Sequence, residues 1–565
     1  MENTVSSSFS LRVIPFAIAI AVLVCGAQAR QQPAAEVATA SYIVQGTSVD
    51  EVSARVQEAG GSITHELGII GGVAAELTAA QRRALAQSDP SLRISGNHTT
   101  ELAKKPPKDD GDNPSTMVET FYPSHLGADT LHAQGIDGAG VTIAVIDSGL
   151  FTDNGLTKNA AGQQRVLNTY NSIIDSYMTN EDPFGHGSHV SSIALSSRLT
   201  SSGTYNGMAP GADLVEVQAF DDLGRSTYAD VIRGIDWVVA NKNAYGIRVL
   251  NCSFSAEPQS YYWDDPLNQA IMAAWRAGIV VVASAGNRGP HAMTIGVPGN
   301  VPYIITVGAM TDNFTPEDMD DDVLATFSSA GPTVEGFIKP DVVAPGGHVL
   351  GLMKHTAQIA VDHPEYHDGG YYFNMSGTSQ ATAFVSGTVA LMLQADPTLT
   401  PDEVKYRLMD TAHPAGWESG GYTYTVFQQG AGLVNAYDAA HSTVLGSAHP
   451  NMDIDLDLAG IQHYGGPADA YEQGNPNNPN LIFYVRDANG NPVEDDGFLW
   501  SDEYVQENGF FWSDGFLWSD GFMWSDGFMW SDGFMWSDGF MWSDGFLWSD
   551  LETEALFTES WVEPE

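Results

Sequence analysis

Cysteine is close to absent. The 565 residues hold two, Cys25 and Cys252. Cys25 falls in an N-terminal segment that reads as a cleavable signal. The remaining chain then has one thiol, and no intramolecular disulfide can form even in an oxidising compartment. Basic residues are scarce too: 23 Lys and Arg stand against 70 Asp and Glu, for a net charge of −47. That balance excludes an electrostatic footprint for nucleic acid and opposes adsorption to anionic membranes. It suits an exported protein that must stay soluble, high salt included. Long apolar runs are also missing. Val13 to Val24 is short for a bilayer span; Arg12 precedes it and the small residues of Ala27-Gln28-Ala29 follow. Residues 1–29 are therefore expected to be a signal peptide, and Val24 is too bulky a neighbour for Cys25 to carry a lipid anchor. The mature chain is expected to have no transmembrane span.

What is present is enough apolar sequence, 43%, for a sizeable core and two to four units. Residues 30–105 read as a small α+β unit. Tyr42-Ile43-Val44 is strand-like, Val49 to Ala59 an amphipathic helix, Ser62 to Leu77 strands around Gly71-Gly72, Thr78 to Ser88 a second helix, and Leu92-Arg93-Ile94 a closing strand. Residues 106–122, rich in Pro, Asp and Gly, read as a linker. From Gly138 to Ala440, strand-length apolar runs (Val141 to Ile146, Leu214 to Phe220, Arg248 to Phe254, Ile279 to Ala283, Ile304 to Ala309) alternate with helical patterns such as Tyr228 to Asn241 and Pro266 to Ala277. That alternation predicts an α/β fold, a parallel sheet with helices on both faces.

Beyond Ala440 the composition changes. Asp453 to Glu565 holds 24 acidic residues and one basic residue, Arg486. Residues 441–496 read as an acidic linker with possible short strands, of which Leu481 to Val485 is the candidate, followed by the turn signal Asn489-Gly490-Asn491-Pro492. Residues 497–565 form a tail built on the hexad Gly-Phe-(Met/Leu/Phe)-Trp-Ser-Asp, with eight copies starting at Gly497, Gly509, Gly515, Gly521, Gly527, Gly533, Gly539 and Gly545. An even period puts Phe, Trp and Asp on one face of a strand; stacked short coils are the other arrangement open to it. Such a tail could self-associate, attach to a surface or serve export.

Three segments carry the chemistry. Val145-Ile146-Asp147-Ser148-Gly149 puts a carboxylate at the end of a buried strand, a costly place unless it is hydrogen-bonded. Gly185-His186-Gly187-Ser188-His189 sets an imidazole between two glycines, where another backbone can approach. Ser376-Gly377-Thr378-Ser379-Gln380-Ala381 opens a small-residue helix, so the Ser379 hydroxyl meets free N–H groups and the dipole of a helix start. A fourth, Ala283-Ser284-Ala285-Gly286-Asn287, follows a buried strand. Each alone is weak; in the order Asp, His, Ser, at spacings of 39 and 193 residues, they resemble the subtilisin-like serine proteases from about Pro123 to about Ala440.

The resemblance implies a secreted serine endopeptidase with Asp147, His186 and Ser379 as the triad and Asn287 as oxyanion donor. No cofactor is required for that chemistry. The partners are polypeptide substrates, and the 30–105 unit is an inhibitory propeptide removed within the region from Lys104 to Pro123. Ser253-Phe254-Ser255 and Ser284-Ala285-Gly286 would flank the substrate side chain and pair with its backbone as an added strand. His189 resembles a structural histidine. The chain also departs from the family. Ser255 stands where Gly is usual, which narrows the pocket. Gln380 replaces an oxidation-prone Met, and Ala383 replaces Pro. Leu150 to Gly155 lacks a His-Pro-Asp calcium ligand, so structural calcium is an expectation without a site. The rival reading is a catalytically silent carrier for the repeat tail; four filled catalytic positions argue against it.

Overall fold

The computed structural model describes residues 38–101, 120–177, 181–313, 315, 321–415, 423–475 and 478–486. The expected signal peptide, most of the linker, the turn at Asn489 and the hexads lie outside the described residues.

The N-terminal unit runs β1 (Thr39–Gln45), α1 (Val49–Glu58), β2 (Ser62–Leu67), β3 (Gly72–Thr78), α2 (Ala79–Ser88) and β4 (Arg93–Gly96), with a further short strand β5 (Thr99–Glu101). Its antiparallel sheet has the order β2-β3-β1-β4. Strand periodicity explains why Tyr42-Ile43-Val44 is continuously apolar. Val44 joins Val52, Val56, Val73 and Leu85 in the unit's own core. Ile43, with Leu67 and Ala74, belongs to the core of the following body. Ser48 and Thr78 cap the two helices, and Thr78 forms a reciprocal capping box with Gln81.

The body then runs β6 (Thr142–Asp147), β7 (Val166–Asn171), α3 (His186–Leu195), β8 (Asp213–Gln218), the short β9 (Arg225–Thr227), α4 (Tyr228–Tyr245), β10 (Ile247–Cys252), α5 (Pro266–Arg276), β11 (Val280–Ser284), β12 (Ile305–Thr311), β13 (Val342–Pro345) and α6 (Thr378–Ala395). Seven strands are parallel, in the order β7-β8-β6-β10-β11-β12-β13; Ser176–Tyr177 and Val323–Leu324 add antiparallel edges. Every residue of β6, β11 and β12 is buried, so both faces of the sheet are covered. α4 packs on α5, and α3 on α6. Among the described residues no helix is long and apolar enough to cross a membrane.

The N-terminal unit docks on α4 and α5 through β2 and the turn after it. His65 Nε2 lies 3.0 Å from Asp230 Oδ1, and Gln45 Nε2 donates to Gln269 Oε1 at 2.5 Å. The start of α4 has N–H groups with no partner inside the helix. Tyr228 N donates to His98 O at 2.8 Å and Ala229 N to Asn97 Oδ1 at 2.9 Å. β5 then pairs antiparallel with β9, Thr100 opposite Ser226.

The stretch expected as an acidic linker with possible short strands holds a helix and a hairpin, whose second strand covers the candidate Leu481 to Val485. A helix, α7 (Ile454–Leu458), packs on α5. Asp457 accepts hydrogen bonds from Tyr262 (2.6 Å) and Tyr303 (3.0 Å), and lies 2.7 Å from His463 Nδ1. A hairpin follows, β14 (Ala468–Asn475) with β15 (Asn478–Val485), and its Phe483 packs with Phe427 and Ala330. The acidic composition hid the helix: Asp457 is buried, a placement that its two tyrosine hydroxyl partners and His463 make tolerable.

Candidate functional site

Asp147 ends β6, and its carboxylate is fully buried. Oδ1 accepts from Ser148 N at 2.8 Å, while Oδ1 and Oδ2 lie 2.8 and 2.9 Å from His186 Nδ1. A carboxylate facing Nδ1 fixes the proton there and leaves the lone pair of the neutral ring on Nε2. Close approach requires glycine at 187: a Cβ there would lie 2.3 Å from Gly149 O and 3.2 Å from Asp147 Cβ.

Asp182, outside every motif quoted above, ties these two turns together. Its Oδ1 accepts from Ser148 Oγ (2.9 Å) and Gly185 N (2.7 Å); its Oδ2 accepts from Ser188 N (2.8 Å) and Ser188 Oγ (2.6 Å). Ser148 Oγ in turn accepts from Gly187 N at 2.9 Å. The signal was an Asp four residues before His186. Burial pushes the Asp182 carboxyl up, against these hydrogen bonds. Burial also holds the nearby Glu216 carboxyl well above its usual range, with the Asp147 charge adding to the shift.

Ser379 is the second residue of α6, nearly buried at 2% exposure. Its Oγ donates to Ser253 O at 3.0 Å, and Ser253 Oγ donates to Ser379 O at 2.9 Å. The strand end and the helix start are thus stitched together. Asn251 extends the stitch, donating to Ser253 Oγ (2.9 Å) and accepting from Ser386 Oγ (2.8 Å).

Asn287 is oriented by Thr378, whose backbone N and Oγ1 both donate to Asn287 Oδ1 at 2.9 Å. Its amide nitrogen therefore points the other way, buried and with no hydrogen-bond partner among the described residues. Leaving such a donor unpaired costs about 1–3 kcal/mol. A Cβ on Gly377 would lie 3.2 Å from this nitrogen and 3.8 Å from Ser379 N, so both N–H donors border one small space beside the serine. A negative oxygen there would gain from both.

The remaining expected positions lie close by. Ser284 Oγ donates to Phe254 O at 2.9 Å, Ala285 N to Val307 O at 2.9 Å, and Gly286 N to Thr378 Oγ1 at 3.3 Å. Phe254 is buried against Phe220. His189 is structural: Nε2 lies 3.0 Å from Phe373 O, Nδ1 lies 3.4 Å from Gln380 Nε2, and burial lowers its pKa to about 3. Burial likewise raises the Cys252 thiol, so it stays protonated.

Among the described residues no three His, Cys, Asp or Glu side chains converge as a metal site. Two oxygen-rich places already hold cations of the chain itself. Asp153, within the segment that lacks the calcium ligand motif, pairs with Arg198 at 3.0 and 2.6 Å. Asp341 pairs with both Lys339 (2.6 Å) and Lys405 (2.9 Å). The two ammonium groups also donate to Ile304 O, at 2.9 Å each. Neither place fits a calcium ion as it stands.

A parallel α/β sheet that brings an Asp–His pair, a serine at a helix start and an orphan amide to its strand ends has the parts of a serine hydrolase. The profile of the Subtilase family matches residues 138–432, and the chain belongs to that family; by membership it is a serine-type peptidase. It is 39% identical over 287 residues to serine protease AprX of Bacillus subtilis, covering 50% of this chain and 63% of that one. It is 32% identical over 317 residues to subtilisin DY of Bacillus licheniformis, covering 56% of this chain and 96% of that one. The crystal structure of fervidolysin from Fervidobacterium pennivorans, a keratinolytic enzyme related to subtilisin, is similar with a TM-score of 0.56 and 21% identity, over 83% of this chain and 68% of that one. That last likeness bears on the fold alone.

Proposed function

We propose that this chain is an exported serine endopeptidase, made with an inhibitory N-terminal unit, that cleaves polypeptides through an acyl-enzyme. Ser379 Oγ attacks the scissile carbonyl carbon while His186 Nε2 takes its proton. Asp147, across Nδ1, holds the ring orientation and offsets the imidazolium charge. The oxyanion forms between Asn287 Nδ2 and Ser379 N. Its collapse breaks the C–N bond, with His186 giving the proton to the leaving amine; water then repeats the sequence on the ester. The observation that carries this reading is the Asn287 amide, held by Thr378 so that its N–H bonds face the serine with no partner among the described residues. A silent carrier would have no use for that cost.

Docking supports the propeptide reading. Ala219 N and Phe220 N donate to Asp147 O at 2.9 and 3.2 Å, and a Cβ on Gly224 would lie 2.4 Å from the ring of Phe184, two residues before His186. β9 therefore starts at the rim of the site, and β5 lies along it as a substrate strand would. The signal-like N-terminus supports export, and the hexads are read as a segment for self-association or surface attachment. Folded Ser379→Ala should lose casein hydrolysis; hydrolysis near the wild-type rate would leave the silent-carrier reading for these residues.

A further inference from the structure

The strand leaving β10 runs past the nucleophile: Ser253 exchanges hydrogen bonds with Ser379. Side chains alternate along an extended chain. Phe254 turns into the core against Phe220, so Ser253 and Ser255 share the side facing the site. Ser255 Oγ enters the gap between two glycine backbones. It is 3.0 Å from where a Cβ of Gly286 would lie and 1.8 Å from where a Cβ of Gly296 would lie; Ser255 Cβ stands back, at 3.7 and 3.2 Å. Gly286 immediately precedes Asn287. A substrate whose carbonyl oxygen meets the Asn287 amide therefore directs the side chain of that same residue, P1, into this gap. The walls cannot spread to admit more. Gly296 N donates to Ala285 O at 3.0 Å, Ala256 N to Val297 O at 2.8 Å, and Val297 N to Ala256 O at 2.7 Å.

Resting on the peptidase reading above, we propose that Ser255 sets the P1 specificity of this enzyme. Its hydroxyl occupies the depth that the two glycines leave open and restricts P1 to glycine, alanine and serine. Forcing a larger group into a pinned, filled pocket strains side chains and backbone, and differences of one methylene in such pockets already change rates by about tenfold or more. Ser329 Oγ also lies 3.0 Å from where a Cβ of Gly286 would lie, but the closest approach, on the Gly296 side, is the Ser255 hydroxyl, so Ser255→Ala opens the gap in part and Ser255→Gly opens it further.

The test uses tetrapeptide p-nitroanilides that differ only at P1 (Ala, Leu or Phe), with the active enzyme titrated by a fluorophosphonate. Wild type should favour Ala over Phe by about tenfold or more in kcat/KM. Ser255→Gly should raise kcat/KM for Phe by about tenfold while that for Ala changes by less than about threefold, with Ser255→Ala in between. A wild-type preference for Phe or Leu, or variants whose Ala-to-Phe ratio matches wild type, would overturn the assignment. If no substrate is cut and no fluorophosphonate is taken up, the peptidase reading falls, and this proposal with it.

Discussion

Replacing Asn287 has two effects that can be read separately. In the resting enzyme Asn287 Oδ1 accepts two hydrogen bonds from Thr378, while Nδ2 has no partner among the described residues. Asn287→Ala leaves the buried Thr378 N–H without an acceptor, at a cost of about 1–3 kcal/mol in stability. Asn287→Asp keeps an oxygen facing Thr378, so it should melt closer to wild type. In the transition state the order reverses. The amide matters only when charge reaches the carbonyl oxygen, so its loss should appear in kcat and not in KM. Removing one such donor in subtilisin, a family relative, lowers turnover about 10²–10³-fold, or about 2.7–4 kcal/mol. Asn287→Ala should fall in that range, and Asn287→Asp, which sets an acceptor against the oxyanion, at least as far. Steady-state kinetics on a chromogenic tetrapeptide, with active sites titrated, gives both constants, and thermal melts give the stability. A tenfold rise in KM with unchanged kcat would show that Asn287 binds the ground state, and the oxyanion argument would fail.

Two further outcomes follow from the same geometry. The unit from about residue 30 to 105 should remain attached in secreted Ser379→Ala and be lost from wild type, whose mature N-terminus should lie between Lys104 and Pro123; N-terminal sequencing of both products decides this, and a wild-type product still beginning near Arg30 would refute self-maturation. Glu335, buried with Oε1 accepting from Tyr262 N at 2.7 Å, has its pKa raised by burial from 4.5 to about 7, against the hydrogen bonds it accepts. The folded state thus holds a proton that the unfolded chain releases, and stability falls as pH rises from about 4.5 to about 7, by on the order of 2–3 kcal/mol. In a Ser379→Ala background, which prevents self-digestion, Glu335→Gln should raise the melting temperature more at pH 8 than at pH 5; a gain independent of pH would contradict the assignment.

Much of this was legible in the sequence because local and global signals agreed. The buried strands ending at Asp147 and before Asn287 are runs of β-branched residues too short for helices, and the helix opened by Ser379 is rich in small and apolar residues. Thr78, opening a run rich in Ala, Gln and Arg, marked the second helix of the N-terminal unit, and its strands fell close to their expected places. Other parts carried no local mark. β7 reads Val-Leu-Asn-Thr-Tyr-Asn, a polar run that becomes a strand only because it pairs with β8. β13 has four residues, too few for a pattern. Asp182 carries no local signal beyond its nearness to His186, because its four donors come from two turns that meet only in the fold. Thr378, hidden in the nucleophile motif, gives Asn287 its orientation, and no spacing rule reaches from residue 287 to 378. The docking of Asp457 depends on Tyr262 and Tyr303, far upstream.

The measurement that tests the central claim most directly is the position of a fluorophosphonate adduct, mapped by peptide mass spectrometry on the wild-type protein and on His186→Ala. If Ser379 is a nucleophile activated by the Asp147–His186 pair, the adduct sits on Ser379, and its formation slows by at least about a hundredfold in the His186 variant. An adduct on another serine, or labelling of Ser379 that proceeds equally fast without His186, would contradict the account.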